Sequence, residues 1–515
     1  VSGGTVVLSP RNGSYSTTAP GAASGDAFIR LEGSQYVTID GLHLMENLDN
    51  ITTRTKFNMG VMLRNAVYPV AGVASFTGAK YNTVKNLMID LNAMNGAANV
   101  GAIGIRFGTM GTNTTDTLGA NSYNTIQNCS IEDYWRAGIQ MYGFHGITNP
   151  DRGNRIIGAS GGFTELKNVL LNSGSSNDSR SIELNAEYDI TIENVKIMNI
   201  DHQVATTNQT YGIWGNPANS ATDGLSGNVL IRNVIIDGLS SSNSLLTTGL
   251  TVAIGMNRLV TGSTLTIENC KISNVFNSGT TSGRAIGMLL NVGPVEGNVT
   301  AKLYNNYMYN LRAPLSTAAT TVTGPPVQGI NVQASVGACA YELFYNTILL
   351  DGNTAPGLTT MSSANLFWGN FANGTLDLRN NIFVNMTQSG TGRNAVLMAT
   401  TNANFLKLAA TSNNNLYYAD TSQVDDVIAY DFATEFVTLQ SYKDAVTPRE
   451  SNSVSEMVPF KSYTTPIDIR MNTEITTAAN GGGLPIAGIT TDYFGNLRDL
   501  TTPDIGAQEF VTELN

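Results

Sequence analysis

The sequence predicts an all-β chain that folds as a right-handed parallel β-helix (solenoid) of about ten or eleven coils with a C-terminal cap. Two interleaved ladders of short motifs lead to this prediction. In the first ladder, an asparagine followed by a short apolar strand recurs at intervals of 26 to 42 residues: Asn86, Asn128, Asn168, Asn194, Asn233, Asn269, Asn305, Asn346, Asn380 and Asn414. Strand-like units that repeat with such a period are typical of stacked repeat architectures.

The second ladder, which we call the Gly-Ile ladder, consists of eight strand-like segments that recur about every 37 residues, and four of them begin with Gly-Ile. Alternation along these strands predicts a row of core residues: Ile105, Ile139, Ile182, Ile213, Leu250, Ile286, Ile330 and Leu366. Strands of this kind can pair only with their equivalents one coil above and below, and the crossover rule favours a right-handed sense. The asparagines have a structural explanation, because Asn tolerates the left-handed conformation and hydrogen-bonds locally in turns.

The pattern changes after Tyr418, so residues 1–418 are predicted to form the coils and residues 419–515 a capping region continuous with them. The segment from Glu435 to Val446 has the spacing of an amphipathic helix, and Pro448 is expected to end it. A capping helix would protect the unpaired edge of the last coil. At the other end the chain begins in strand-like sequence, from which we expect a processed form or a fragment of a longer protein.

Charge and composition exclude several classes of function. Lys and Arg number 28 against 39 Asp and Glu, a net charge of −11, which disfavours nucleic acid and anionic membrane surfaces as partners. No run of eighteen apolar residues occurs, so direct membrane insertion is not expected. The three cysteines and three histidines are scattered, and the sequence therefore predicts no disulfide framework, no metal site and no cofactor.

Four motifs near the end of the chain carry a family resemblance: Asn414-Asn-Leu-Tyr-Tyr418, Asn452-Ser-Val454, Asp492-Tyr-Phe-Gly-Asn-Leu-Arg498 and Asp504-Ile-Gly-Ala-Gln-Glu509. The segment that holds them resembles the ending of secreted right-handed β-helix proteins of the pectate-lyase-like superfamily, of the type common in Bacteroidetes. The resemblance implies export and a secreted or outer-cell-surface location. We expect the charged residues of the last two motifs to form a salt-bridged clasp, not an active site.

The chemistry of that superfamily is only partly represented. Its pectin hydrolases carry N-T-D, D-D, G-H-G and R-I-K motifs, which are not found here as a set. On the outward row of the Gly-Ile ladder Glu183 is the only acid, whereas an inverting hydrolase needs two carboxyl groups. A polysaccharide lyase acting on acidic glycans needs a base and a cation beside a sugar carboxylate, and Arg106 with Tyr142 or His145 are the candidates.

The outward row also has the composition of a carbohydrate-binding face. Flat aromatic rings and amide groups at a fixed rise suit a repeating glycan, and the predicted ligand-binding residues are Trp214, Glu183, Gln140, Asn185, Asn216, Asn331 and Gln333. Trp214 is predicted to be the exposed anchor, so that its replacement by alanine leaves thermal stability nearly unchanged. The leading hypothesis is a secreted or cell-surface structural or adhesion module that binds a polysaccharide or surface glycan without catalysis. The alternatives are a lyase and a subunit of a larger surface assembly.

Overall fold

The fold is a parallel β-helix, as the sequence predicts. The computed structural model of the protein describes residues 6–9, 27–47, 59–92, 102–109, 117–143, 148–171, 178–203, 208–216, 220–221, 223–243, 246, 248–294, 297–317, 324–334, 337–352, 361–369, 371, 373–388, 392–420 and 425–513. Nearly all of their regular structure is parallel strand. The chain divides into two compact units, the first of residues 1–246 and 254–263 and the second of residues 247–253 and 264–515.

In the first unit, strands that flank the asparagine turns form one sheet, which we call the asparagine sheet: Val6–Leu8, Thr38–Asp40, Leu42–Met45, Thr83–Lys85, Met88–Asp90, Thr125–Gln127, Ser130–Glu132, Arg155–Ile157, Thr164–Leu171, Thr191–His202 and Asn228–Ser241. The Gly-Ile strands form the other, the glycine sheet: Ala27–Glu32, Met59–Arg64, Ile103–Gly108, Ala137–Tyr142, Ser179–Asn185 and Asn208–Gly215. Strand Thr248–Asn257 has residues in both units. Two short pairs complete the first unit, the parallel pair Asp151–Arg152 with Glu187–Tyr188 and the hairpin Ala66–Val70 with Val73–Thr77.

The second unit repeats the same two-sheet pattern. Its asparagine sheet contains Thr264–Glu268, Lys271–Asn277, Asn298–Tyr304, Tyr307–Arg312, Ala338–Phe344, Thr347–Leu350, Gly374–Arg379, Ile382–Asn385 and Leu416–Ala419. Its glycine sheet contains Ser282–Asn291, Val327–Val332, Ser363–Trp368, Asn394–Ala399 and Asp426–Tyr430, followed by the antiparallel strand Glu435–Phe436. The glycine sheet therefore continues past Tyr418, because Asp426–Tyr430 pairs in parallel with Asn394–Ala399.

Glycine-sheet strands bend at their glycine, which simple alternation does not predict. In register, Ile103 pairs with Ala137 and Ile105 with Ile139, while the glycines between them are skipped. A Cβ on Gly104 would lie 2.4 Å from the side chain of Ile131 in the asparagine sheet, so this position points into the core. The isoleucine that follows is also buried. The two outer-face residues that flank the bend are consequently three apart instead of two, as Ile103 and Arg106 are.

The predicted core row is confirmed at most positions and shifted at two. Ile105, Ile139, Ile182, Ile213, Ile330 and Leu366 are fully buried. Leu250 is only half-buried. Ile286 pairs with Gln328, and Met288 is the residue in register with Ile330. The bend explains the second shift, because the glycine of this strand is Gly287 and the core residue is the one that follows it, Met288.

The asparagine turns adopt the left-handed conformation, as the sequence predicts, with φ from +53° to +57° at Asn86, Asn128, Asn168, Asn194, Asn233, Asn269, Asn305, Asn380 and Asn414. Two assignments are wrong. Tyr345 occupies the turn position in place of Asn346. Asn168 belongs to a second left-handed column, in which it stands in register with Asn199 and Gly238. The irregular 26-residue interval between Asn168 and Asn194 reflects this change of column.

Each unit also contains a buried ladder of asparagine side chains, and each ladder ends on a carboxyl group. In the first unit the amide nitrogens of Asn82, Asn124 and Asn154 each donate to the next residue of the ladder, and the last acceptor is Glu187. In the second unit Asn306, Asn346, Asn381 and Asn415 form the same series, which ends on Glu450. These ladders fix the relative register of successive coils.

The cap contains the predicted helix, although the helix is shorter than expected. It spans Leu439–Val446, and Thr438 caps its N-terminus by accepting a hydrogen bond from the Ser441 amide at 3.2 Å. Glu435 and Phe436 form a strand instead of its first turn. Tyr442 is fully buried against Phe405, Phe436 and Tyr417. The helix Asn402–Phe405 supplies one of these rings.

The C-terminal tail forms a clasp in which one arginine makes the ion pair. Arg498 contacts Glu509 at 3.3 Å, donates to the Asn305 side chain at 2.7 Å and stacks 3.7 Å from the Tyr345 ring centroid. Asp492 and Asp504 accept backbone amides of the tail instead of pairing with the arginine. The clasp therefore holds the tail against the asparagine sheet of the second unit, through contacts with Asn305 and Tyr345.

Candidate functional site

A cluster of charged and polar side chains lies on the outer face of the glycine sheet in the first unit. Strands Ile103–Gly108, Ala137–Tyr142 and Ser179–Asn185 are neighbours in this sheet, and Arg106, Gln140 and Glu183 occupy one row across them. The bend at the glycine position places Arg180 on the same face, three residues before Glu183. We call this set, together with Tyr142, the arginine cluster.

Glu183 is the centre of the arginine cluster. Its side chain is 0% exposed and accepts three hydrogen bonds, from Gln140 at 2.9 Å, from the Tyr142 hydroxyl at 2.7 Å and from Arg180 at 2.5 Å. Arg180 also pairs with Asp178 at 2.8 Å. A carboxylate so enclosed by donors orients the groups around it and has no exposed surface for a ligand.

Arg106 is the cation of the cluster that remains available. Its side chain is half-buried, and the buried Nε has no hydrogen-bond partner among the described residues. Burial lowers the pKa of Arg106, while the nearby Tyr142 and Glu183 partly offset that effect. Arg136, which is exposed, adds a further positive charge. With Arg180 already paired, the rim of the cluster carries excess positive charge on an acidic protein.

Tyr142 is held as a proton donor. Burial, followed by the charge and hydrogen bond of Glu183, raises its pKa to about 12. Its hydroxyl proton is directed at the Glu183 carboxylate. A phenol in this environment is neutral at ordinary pH, so it can position or protonate a ligand but is a poor general base.

The prediction that Trp214 is exposed is wrong. Its side chain is 5% exposed and stacks on Tyr211 with ring centroids 4.1 Å apart. A Cβ on Gly255 would come within 1.9 Å of the indole ring, so the glycine leaves room for it. The bend again supplies the reason, because it brings Tyr211 and Trp214, three residues apart, onto one face where they cover each other.

The predicted amide platform is also mostly buried. Asn185, Asn216 and Asn331 lie below the surface, and Gln333 is half-buried. Asn216 stabilises its own loop by exchanging hydrogen bonds with the Ser220 backbone. In the second unit Asn331 donates to Gln328 at 2.7 Å and accepts from Gln333 at 3.2 Å. Strict alternation predicts exposed amides at these positions, whereas Asn185, Asn216 and Asn331 are all buried.

Of the predicted catalytic candidates, Arg106 and Tyr142 belong to the same cluster, while His145 lies outside the described residues. Arg180 was missed by sequence reasoning, although its position three residues before Glu183 would have identified it had the bend been known. Within the described residues, no group of three or more His, Cys, Asp or Glu side chains is arranged to hold a metal ion. Cys129, Cys270 and Cys339 are buried and form no disulfide bond.

No protein-family model matches the chain, and no curated protein is similar enough to be identified as a relative. The class of protein is therefore defined by the fold, a parallel β-helix with long sheets. None of the helices that the structure describes is long and apolar enough to cross a membrane.

Proposed function

We propose that the protein is a non-catalytic structural or adhesion module of the secreted or cell-surface class, and that it binds an acidic glycan at the arginine cluster. The observation that carries the proposal is the half-buried Arg106, whose Nε has no hydrogen-bond partner in the part of the chain that the structure describes, beside a neutral tyrosine on the same sheet. A guanidinium fork is suited to carboxylate and sulfate groups. Export and membership of the pectate-lyase-like superfamily, as in Bacteroidetes proteins, belong to this proposal and are supported by the resemblance of the C-terminal motifs.

The hydrogen bonding of Glu183 and the protonation of Tyr142 support binding better than catalysis. Glu183 is enclosed by three donors, and the raised pKa of Tyr142 leaves it protonated. Neither group is free to remove a proton from a sugar ring. The polar side chains of the cluster are also fixed by one another, which reduces the entropy lost when a ligand is bound.

The test uses retention of the protein by polygalacturonate, alginate and chondroitin sulfate in native affinity gels. Arg106→Gln should weaken retention at least several-fold and leave the melting temperature unchanged, since Arg106 makes no hydrogen bond among the described residues. Arg155→Gln is the matched control, because Arg155 is an exposed arginine on the asparagine sheet. Equal effects of the two substitutions, or no retention of the unsubstituted protein, would refute binding at this site.

A polysaccharide lyase is the second candidate, and the proximity of Arg106 to Tyr142 in one cluster favours it. Such an enzyme would use the arginine to neutralise a uronate carboxylate before proton abstraction. Incubation with the same acidic polymers should then generate ultraviolet absorbance from unsaturated products. A strong signal that Tyr142→Phe abolishes would establish catalysis and replace the non-catalytic assignment.

A further inference from the structure

The second left-handed column of the first unit contains a gap. Asn168, Asn199 and Gly238 stand in register on successive coils with φ of +55°, +56° and +79°. The amide nitrogen of Asn199 donates to Asn168 at 3.2 Å, which continues an exposed amide ladder. At Gly238 the ladder has no side chain, and the Asn199 Oδ1 accepts no hydrogen bond from the described residues.

The gap at Gly238 is narrow and is bordered by Asn199, whereas the space at Gly153 and Gly227 is filled by other side chains. At Gly153 and Gly227, which also have positive φ, a neighbouring side chain occupies the space: a Cβ would lie 2.7 Å from the Tyr123 ring and 2.3 Å from Asp189 Oδ1, respectively. A Cβ on Gly238 would have no atom closer than 3.3 Å. The space belongs to a shallow cavity of about 500 Å³ that is largely open to solvent.

The walls of this cavity combine fixed acceptors with an apolar surface. Asp201 is held by Ser240 at 2.6 Å and by Ser242 and Gln203 at 2.7 Å each. Its carboxylate retains further lone pairs, because each oxygen can accept more than one hydrogen bond. On the same wall Leu170 is 54% exposed, which is unusual for a leucine beside so many polar groups.

We infer that this cavity, which we call the Gly238 notch, is a binding site for a neutral saccharide. Asp201 and Asn199 line the notch with acceptor oxygens, and a sugar ring presents several hydroxyl donors in a fixed arrangement. The C–H face of the ring would pack against Leu170. Asp201 would repel an anionic sugar, so the ligand class differs from that of the arginine cluster, and the two sites are independent.

The decisive variant completes the ladder. Gly238→Asn places an amide in the gap, and asparagine accepts the left-handed conformation that its neighbours already adopt. Its side chain would fill the site and could donate to the Asn199 Oδ1, which lies 3.4 Å from the new Cβ position. Gly262→Asn is the matched control, since Gly262 has φ +81° in the same unit, has no atom within 4 Å of its Cβ position and does not line the cavity.

The probes are neutral oligosaccharides of glucose, mannose, galactose and xylose, tested by saturation-transfer NMR and by calorimetry. We expect at least one to bind, with affinity reduced at least tenfold by Gly238→Asn and severalfold by Asp201→Asn, and unchanged by Gly262→Asn. Melting temperature should not fall in Gly238→Asn. Absence of binding by any neutral sugar, or equal binding by Gly238→Asn, would overturn the inference. Arg106→Gln should leave this binding intact, which separates it from the proposed function.

Discussion

Replacing Asn381 by alanine tests whether the buried asparagine ladder is a main source of stability in the second unit. The Asn381 amide nitrogen donates to the Leu343 carbonyl at 2.8 Å and to Asn415 Oδ1 at 3.0 Å. Its oxygen accepts from both the backbone and the side chain of Asn346, each at 3.0 Å. The substitution removes all four hydrogen bonds, and at about 1 kcal/mol each the expected loss is about 4 kcal/mol, more if the stranded groups stay dry.

Because coils of a solenoid interact mainly with their neighbours, the loss should be concentrated around the altered coil. Hydrogen exchange followed by mass spectrometry measures this directly, and about 4 kcal/mol corresponds to nearly three orders of magnitude in exchange rate for amides of strands Ala338–Phe344 and Gly374–Arg379. The matched control is Asn373→Ala, at an exposed position. If Asn381→Ala accelerates exchange no more than this control does, the ladder contributes little and the reasoning fails.

Three further predictions concern packing, pH and the tail. Trp214→Ala should destabilise the protein by about 3–5 kcal/mol and Trp214→Phe by less; a melting temperature equal to that of the unsubstituted protein would show that the ring is not packed. Burial raises the pKa of Glu450 to about 7 from its ordinary 4.5, so its stabilising contribution is complete below pH 4.5 and is lost as the pH rises through 7. Glu450→Gln should flatten denaturation midpoints across that window, and identical pH profiles would contradict the assignment. Arg498→Met should cost about 3 kcal/mol by stranding Glu509, seen as faster proteolysis of residues 473–513, and unchanged cleavage would show that the clasp is dispensable.

The coils could be predicted from the sequence because their signals are local and repeated. The left-handed asparagines depend on turn chemistry, and the buried isoleucines depend on apolar alternation. Both patterns are repeated in each coil. Asn168 was placed in the wrong column because both columns use the same residue type for the same backbone conformation. Only the pairing of Asn168 with Asn199, a contact between coils, distinguishes the two.

The candidate site was less predictable, because it depends on the bend in the glycine-sheet strands. No single sequence motif predicts that bend. Strict alternation predicts that Trp214 and Glu183 point outward and are exposed. Both do point outward, but both are buried. The strands bend at Gly212 and at Ser181, so that the residue three positions earlier becomes a neighbour: Tyr211 covers Trp214 and Arg180 covers Glu183. The Gly238 notch was invisible for a different reason, since it is defined by a side chain that is missing from an otherwise continuous ladder.

The carboxyl groups that end the two buried ladders have a consequence for how such a chain can change in length. Every amide in a ladder offers a donor to the next coil, whereas Glu187 and Glu450 offer acceptors. A duplicated coil that carries asparagine could therefore be inserted at any rung before the glutamate, and its donors and acceptors would be satisfied on both sides. Beyond the glutamate, an inserted asparagine would follow a carboxylate. A carboxylate offers no donor to the side-chain oxygen of that asparagine. Each glutamate thus marks the end of its ladder. Duplication of a whole coil is tolerated before the glutamate and is not tolerated after it.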